Sequence, residues 1–492
     1  MTGQQTEHKK ESSLKGANQR RDRVIFDAAC ALVIGLFIWA AEPGVLELQS
    51  NHAQRAYYNL LVQGFSAGQL NLKIAVPPEL AQMADPYDPA NQAHTATVWD
   101  MSYYKGKLYI YYGVTPALVL YWPYEALTGR YLPDAFAIAI FLMAGFMIAA
   151  RLIYSIWRRY FADVSVWVPA AGTFAMGAAI VALELGWPWY RVTEVAVSCG
   201  FTFSMLALLA VWRAMDEPKR PVAWLLLASL SYGLAVGARP SLLFGAIILM
   251  IPVARAWCVA AGQDARRRAG FLAAAAIGPI TAVGLGLMLY NYLRFDNPFE
   301  FGFFYQVTSY RASTGVQFSP HYFWFDVWFY FLQPMQWSSH FPFLQLMPAL
   351  TSLPPHYLET GTSYGGIMLV GYPMMWLALA APLAWKSRPP AEASALRWFT
   401  TGAFLLFLIC GVTICFYFCG FTRYELDFLP GLMVLSVIGI LGLERAPVDT
   451  GGWRPIARWG WCLLLVCSLI FYFFMSVPKL TAIVRSVCWL FR

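Results

Sequence analysis

Charged residues are scarce in this sequence. Only 13% of its 492 residues are Asp, Glu, Lys or Arg, whereas 59% are hydrophobic and 17% are aromatic. A soluble domain usually carries about 25% charged residues, so this composition excludes an ordinary soluble globular protein. It is typical of a membrane protein with several spans, and we predict an all-α polytopic membrane protein.

The sequence also lacks the usual signals for a zinc site, for export processing and for internal repeats. None of the nine cysteines forms a CxxC pair or has a histidine at zinc-ligand spacing. Residues 1–23 are polar and basic and precede an apolar stretch, but Ala40-Ala41-Glu42-Pro43 is a poor cleavage site. We therefore predict a cytoplasmic basic tail, 1–23, and an uncleaved first span. Neither a fixed-period repeat nor an inverted pair of broken helices, which marks many transporters, is visible.

Long apolar stretches are present instead. A span needs about 20 apolar residues, and the pattern predicts about eleven transmembrane helices that make residues 24–492 a single membrane unit. The predicted spans are 24–41, 132–156, 164–185, 192–213, 222–238, 241–254, 270–290, 364–383, 398–418, 428–443 and 461–474. Two apolar pieces, 115–127 and 322–332, are too short or too polar to span, and we expect helices at the membrane surface there.

The net charge of +8 is distributed unevenly along the chain. When the spans are followed with alternating direction, most Lys and Arg residues fall on the side of the N-terminus. This is the positive-inside pattern, so we predict a cytoplasmic N-terminus in a bacterial-type inner membrane. The connections 42–131 and 291–363 are then extracytoplasmic. Because the charge is explained by orientation in the lipid bilayer, it implies no nucleic-acid partner.

Polar residues are concentrated in these outer connections and at the outer ends of later spans. They could converge on one cavity at the outer face, or they could reach interfacial water and pair locally. In the first connection, 51–61 reads as an amphipathic helix stopped by Gly64 and Gly68. Asp85 and Asp88 each precede a proline, which favours turns. The pattern of residues 99–109 predicts two extended pieces around a Lys105-Gly106 turn.

The segment that begins at Trp99 reads WD-x-x-YY-x-GK-x-Y-x-YYG-x-x-PAL and runs into the short apolar helix. With the preceding helix of Arg and Tyr residues, it resembles the polyprenyl-phosphate-sugar-dependent glycosyltransferases of the GT-C superfamily. The relevant branch contains protein mannosyltransferases and lipid A aminoarabinose transferases. Residues 190–194, 238–241, 292–302 and 423–424 are compatible with it. The resemblance implies a GT-C-like fold, a polyprenyl-phosphate-linked sugar as donor, and a glycan, lipid or protein as acceptor.

Such a transfer needs a base for the acceptor hydroxyl and cations or phenols for the departing phosphate. For the base we favour Asp100, then Asp88 or Asp85, with His52 as a further alternative. Where the family usually carries an acid, this chain reads Asn51-His52-Ala53-Gln54. The residues predicted to bind substrate are His52, Arg55, Tyr57, Tyr104, Lys105, Lys107, Tyr112, Arg191, Glu194, Arg239, Arg294, Arg423 and Tyr424. No metal site is assigned, and a divalent cation held by His52 with a carboxylate is left open.

Two functions of other classes compete with this hypothesis. A flippase or other transporter of lipid-linked sugars would need ionisable residues deep inside the spans. The sequence has few: Asp27 and Glu184 both lie near span ends. A non-catalytic membrane scaffold, whose outer loop binds partners, is the second alternative. Consumption of a sugar donor distinguishes the glycosyltransferase from both.

Overall fold

The helices of this protein form one bundle with a small β-sheet at one end. The computed structural model describes residues 2–41, 52–89, 98–185, 192–217, 219–259, 263–308, 310–311, 316–333, 336–340, 343–345, 353–358, 371–386, 388–445 and 453–490. Within these ranges the fold is nearly all-α, with five short strands. The α-helices are α1 Thr2–Ala40, α2 Tyr57–Ser66, α3 Pro78–Gln82, α4 Trp122–Thr128, α5 Asp134–Tyr160, α6 Trp167–Leu185, α7 Val192–Asp216, α8 Pro221–Ala238, α9 Met250–Val259, α10 Gln263–Phe295, α11 Pro320–Val327, α12 Pro390–Ile414, α13 Leu429–Arg445 and α14 Trp453–Leu490.

Eight helices in the described ranges are long and apolar enough to cross a membrane, judged by length and composition. They are Asn18–Ala40, Asp134–Tyr160, Val192–Asp216, Pro221–Ala238, Pro240–Cys258, Arg266–Phe295, Pro390–Ile414 and Trp453–Ser476. Each coincides with one of the eleven predicted spans. The other three predictions overlap two shorter apolar helices, Trp167–Leu183 within α6 and Pro373–Ala384, and the 17-residue helix α13. Residues 364–370 of one of them lie outside the described residues.

Close helix packing produces the core. α7 packs against α5 and α8, α8 against α10, and α13 against the 3₁₀ helix Pro373–Ala384. Most of α7 and α13 is buried, whereas α10 exposes apolar side chains such as Leu285 and Leu289. A helix that exposes large apolar side chains is expected to face lipid. The long apolar helices and their packing together indicate a multi-pass membrane protein.

The predicted turn at Lys105-Gly106 is confirmed. Strand β1, Met101–Tyr104, pairs antiparallel with β2, Lys107–Ile110. Lys105 (φ 48°) and Gly106 (φ 74°) both take positive φ, as the tight type I′ hairpin turn requires. A third strand from a distant part of the chain, β3 Gln306–Val307, pairs with the other edge of β1. The sheet therefore joins the segments 42–131 and 291–363. A separate small hairpin consists of β4, Gln336–Trp337, and β5, Leu344–Gln345.

The short helices of the two segments follow the predictions in part. The piece predicted at 115–127 contains a π-helical turn, Ala117–Tyr121, followed by α4, and the piece at 322–332 contains α11 and a similar turn, Trp328–Leu332. The amphipathic helix predicted at 51–61 is a 3₁₀ turn, His52–Arg55, followed by α2. Its predicted stop at Gly64 is wrong, because α2 runs through Gly64 and ends at Ser66, before Gly68 (φ 71°).

Helix α5 relates the sheet to the other end of the bundle. Asp134, its first residue, accepts a hydrogen bond of 2.5 Å from Tyr121 of the first segment. Tyr160, its last residue, is therefore far from the sheet, since a helix of 27 residues spans about 40 Å. We call these two places the sheet end and the Tyr160 end.

Candidate functional site

Asp100 lies at the start of β1 in a conformation that few residues adopt. Its φ is 59°, in the left-handed region, and its N–H donates to the carbonyl oxygen of Val307 at 2.9 Å. The carboxylate oxygen Oδ1 accepts hydrogen bonds from Thr308 Oγ1 at 2.9 Å and Gln306 Nε2 at 3.1 Å. A non-glycine residue held with positive φ by its surroundings is frequent at functional sites. Strand β3 therefore fixes both the backbone and the side chain of Asp100.

Three tyrosines share the electrostatic environment of Asp100. Burial, followed by nearby negative groups that include Asp100, raises the pKa of Tyr111, Tyr112 and Tyr310. All three are consequently neutral phenols that can donate hydrogen bonds. Tyr112 accepts a hydrogen bond of 2.9 Å from Thr193 Oγ1, so it connects the sheet to the first turn of α7.

Arg239 follows the last residue of α8 and is held by an acid from a distant part of the chain. Its Nη2 donates to Asp427 Oδ2 at 2.7 Å, and its Nε lies 3.3 Å from both oxygens of that carboxylate. Ser241 Oγ also donates to Asp427 Oδ2, at 2.8 Å. The Arg239 guanidinium carbon lies 4.6 Å from the centre of the Tyr424 ring, a cation–π contact.

Arg423 lies against the same aromatic ring. Its guanidinium carbon is 5.4 Å from the centre of the Tyr424 ring and 3.8 Å from that of Phe421. Its Nη1 pairs with Glu194 Oε1 of α7 at 3.3 Å. Because Tyr424 contacts both guanidinium groups, it brings two cations from distant positions in the chain together. Burial, followed by the neighbouring Cys419, raises the pKa of Tyr424 above its usual value although Arg423 and Arg239 act in the opposite direction, so Tyr424 remains a neutral phenol.

Gly113 allows the hairpin to approach these cations. A Cβ at this position would overlap the carbonyl oxygens of Gly237 and Ala238, which end α8 directly before Arg239. Tyr58 donates to the Gly113 carbonyl at 3.1 Å and fixes the segment from the α2 side. The Tyr-Tyr-Gly sequence thus has a packing role, since only glycine lets Tyr112 sit next to the end of α8.

The structure therefore brings together six of the residues predicted from sequence, and we call them the acid–arginine cluster. They are Asp100, Tyr112, Glu194, Arg239, Arg423 and Tyr424. Phenols donate hydrogen bonds and guanidinium groups bind anions, whereas Asp100 can accept a proton. The arrangement can bind an anionic group next to a carboxylate base.

Other predicted residues are engaged elsewhere. Lys105 forms an exposed ion pair of 2.6 Å with Asp296, to which Tyr104 also donates at 2.9 Å. Arg294 donates to the carbonyl of Ile110 at 2.7 Å and to Asn291 at 2.7 Å, so it joins α10 to β2.

Two further predicted residues, Asp85 and Tyr57, have partners near the hairpin. Asp85 pairs with Arg311 and accepts from the N–H of Tyr87 at 3.1 Å, which is the expected turn geometry. Tyr57 donates to the carbonyl of Trp99, next to Asp100, and thereby supports the start of β1.

The remaining predicted residues are not among the six of the cluster. Arg55 and Lys107 are exposed, and Asp88 is half-buried in the turn after Asp85. His52 begins the 3₁₀ turn, but its side chain lies outside the described residues, as does the whole of Arg191. Among the side chains that are described, no three of His, Cys, Asp and Glu come together as ligands for a metal ion.

Sequence reasoning missed the residues that hold the cluster in place. Asp427 lies four positions after Arg423 in a charged stretch, which was a visible signal, yet its pairing with Arg239 spans 188 positions. Gln306 and Thr308 carried no signal of their own, because a strand of two residues is too short to show alternation. Searches against protein-family models, curated proteins and solved structures returned no significant match.

Proposed function

We propose that this protein is a membrane glycosyltransferase that transfers a sugar from a polyprenyl-phosphate donor to an acceptor at the extracytoplasmic face. The observation that carries the proposal is the acid–arginine cluster. It combines a carboxylate fixed by β3 with two arginines that contact one tyrosine ring. A transferase of this kind needs a base and an anion-binding group at the same place.

In the proposed reaction, Asp100 accepts the proton of the acceptor hydroxyl while its oxygen attacks the anomeric carbon. The bond between that carbon and the donor phosphate oxygen breaks, and the polyprenyl phosphate leaves with the electron pair. A single displacement of this kind inverts the configuration of the sugar. Arg239 and Arg423 stabilise the charge that develops on the phosphate, and Tyr112 supplies a phenol donor nearby.

Arginines at the Tyr160 end support the proposed orientation. Arg158, Arg159, Arg388 and Arg445 lie at or near that end, and basic residues at span ends favour the cytoplasm. The sheet end is then extracytoplasmic, the N-terminus is cytoplasmic, and the chain has eleven spans in a bacterial-type inner membrane. The donor lipid stays in the bilayer, which explains a site where helices end. The acceptor is a glycan, a lipid or a protein.

The test is a transfer assay with purified protein in lipid nanodiscs. Radiolabelled sugar on polyprenyl phosphate is supplied with glycan, lipid or protein acceptors, and loss of the donor is followed together with the labelled product. We expect the donor to be consumed and bare polyprenyl phosphate to appear. Movement of intact donor across vesicles without consumption would support the flippase alternative and contradict the proposal. An unconsumed and unmoved donor would favour the scaffold.

A further inference from the structure

The cation of the acid–arginine cluster with the best-defined geometry is Arg239. It pairs with Asp427 through Nε and Nη2, the side edge of the guanidinium group. Arginine has five N–H donors in a rigid plane. Within the described part of the chain, the Nη1 group of Arg239 donates to no residue, so two donors point away from the pair.

Two further contacts fix the plane of this guanidinium group. The Tyr424 ring lies 4.6 Å from its carbon, and Ser241, two positions along the chain, donates to the same Asp427 oxygen that accepts from Nη2. Gly200 of α7 leaves room for the stem, since a Cβ there would be 3.1 Å from Arg239 Cγ. The side chain still keeps 13% of its surface accessible. An arginine fixed in this way retains donors for a ligand and loses little freedom on binding.

Asp427 itself cannot contact a substrate readily. Its side chain is only 1% exposed, and its carboxylate is occupied by three donor groups from Arg239 and Ser241. Its effect on a ligand must therefore pass through Arg239.

We propose, on the basis of the proposed function, that Asp427 with Ser241 is a positioning pair that aims the Nη1 edge of Arg239 at the donor phosphate. A guanidinium group that is merely neutralised would serve stability alone. A guanidinium group whose side edge is held by a carboxylate and whose other edge has no partner provides a directed contact with phosphate. The reason is that its paired N–H donors match phosphate oxygens.

The experiment measures the preference for phosphate without requiring sugar transfer. Full-length protein in nanodiscs is titrated with a polyprenyl phosphate and with the polyprenol of the same length, which lacks only the phosphate. The ratio of the two affinities isolates the phosphate contact from binding of the lipid chain. Asp427→Asn keeps the shape and removes the charge, and Ser241→Ala removes one hydrogen bond to Asp427. Asp163→Asn is the matched control, since it breaks the pair of Asp163 with Arg445 (3.2 Å) at the Tyr160 end.

We expect Asp427→Asn to lower the phosphate preference about tenfold, Ser241→Ala to lower it about threefold, and Asp163→Asn to leave it unchanged. A purely structural role would change thermal stability and both affinities together, leaving their ratio intact. An unchanged ratio in folded Asp427→Asn overturns the positioning role. If that variant does not fold, Ser241→Ala decides, and an unchanged ratio there overturns it equally. A wild-type protein with no preference for the phosphate contradicts the proposed function itself, whereas a wild-type preference that survives in the variants contradicts the positioning pair alone.

Discussion

Arginines at both ends of the bundle pair with carboxylates, but Arg388 and Arg445 at the Tyr160 end also donate to main-chain carbonyls. At the Tyr160 end, Arg388 donates from Nε to the carbonyl of Ala384 at 2.6 Å and from Nη2 to the carbonyl of Tyr160, and Arg445 donates to the same Tyr160 oxygen at 3.3 Å. At the sheet end, Arg239 and Arg423 pair with side-chain carboxylates and contact the ring of Tyr424.

This difference separates a structural role from a binding role. Carbonyls at the end of a helix have no partner within the helix, and a basic side chain that satisfies them stabilises that end. Arg388 and Arg445 do so where α5 ends. Arg294 lies at the sheet end but also has a structural role, because it donates to a main-chain carbonyl. Arg239, which Asp427 holds beside the Tyr424 ring, donates from Nη1 to no described residue and so keeps donors for an anion.

The largest effect that the comparison predicts is on the base at the sheet end. Asp100→Asn should lower the rate of sugar transfer about a thousandfold while donor binding and folding are retained, because asparagine keeps the hydrogen bonds but cannot take the proton. Transfer of radiolabelled sugar and separate binding of the donor measure the two effects. Asp85→Asn, in the pair with Arg311, should transfer at nearly the normal rate. Near-normal turnover by Asp100→Asn would remove this residue from the site.

The cations at the sheet end give the second effect. Arg423→Ala should weaken binding of polyprenyl-phosphate sugar about thirtyfold, since it removes a guanidinium group beside Tyr424 and leaves Glu194 buried without this cation. Titration of the donor against protein in nanodiscs measures this. Arg55→Ala should bind normally, because the exposed Arg55 forms no hydrogen bond or ion pair within the described ranges. Equal affinities of the two variants would contradict the assignment of Arg423 to the anion-binding site.

The Tyr160 end should respond in stability alone. Arg388→Ala removes the donor to the carbonyl of the buried Ala384 and one of the two donors to the carbonyl of the buried Tyr160, so we expect the free energy of unfolding to fall by about 2 kcal/mol. Denaturant unfolding in detergent measures the change. The relative affinity for polyprenyl phosphate and polyprenol should remain that of the unmodified protein. A changed ratio would mean that this end also takes part in binding.

The smallest effect concerns a buried acid, Glu425, which lies between Tyr424 and Asp427 in the chain. Glu425 is 1% exposed, and neither carboxyl oxygen has a hydrogen-bond partner among the described residues. Burial raises its pKa well above the usual value, so the folded protein binds the proton more tightly than the unfolded chain does. Its contribution to stability is therefore present at low pH and is lost as the pH rises from the unfolded pKa towards the folded one.

Glutamine cannot ionise, so the Glu425→Gln variant should not lose this stability as the pH rises. We expect the variant to be more stable than the unmodified protein by about 1 kcal/mol at neutral pH, with little difference at pH 4. Thermal unfolding between pH 4 and pH 8 measures both. A difference between the two proteins that does not vary with pH would contradict the assignment of the proton to Glu425.

Local patterns predicted the parts of this fold that depend on neighbouring residues. The hairpin at Lys105-Gly106 follows from its turn residues, and the eight long helices follow from apolar runs of sufficient length. The helix end at Ser66 was missed because a single glycine within a helix is tolerated when packing compensates. Tertiary pairing decided the rest of the candidate site. Sequence alone does not distinguish Arg294, which bonds a main-chain carbonyl, from Arg239, which pairs with Asp427 far along the chain.

The pairing of β1 with β3 has a consequence for biosynthesis. Asp100 and its partner Thr308 are 208 positions apart, so the ribosome needs about 10–40 s to pass from one to the other at typical rates of elongation. Throughout that interval one edge of β1 faces its surroundings unpaired, which invites association with other nascent chains. A translation intermediate stalled before Gln306 should accordingly be cut by protease next to Asp100, and one stalled far enough beyond Thr308 for β3 to have left the ribosome should be protected there.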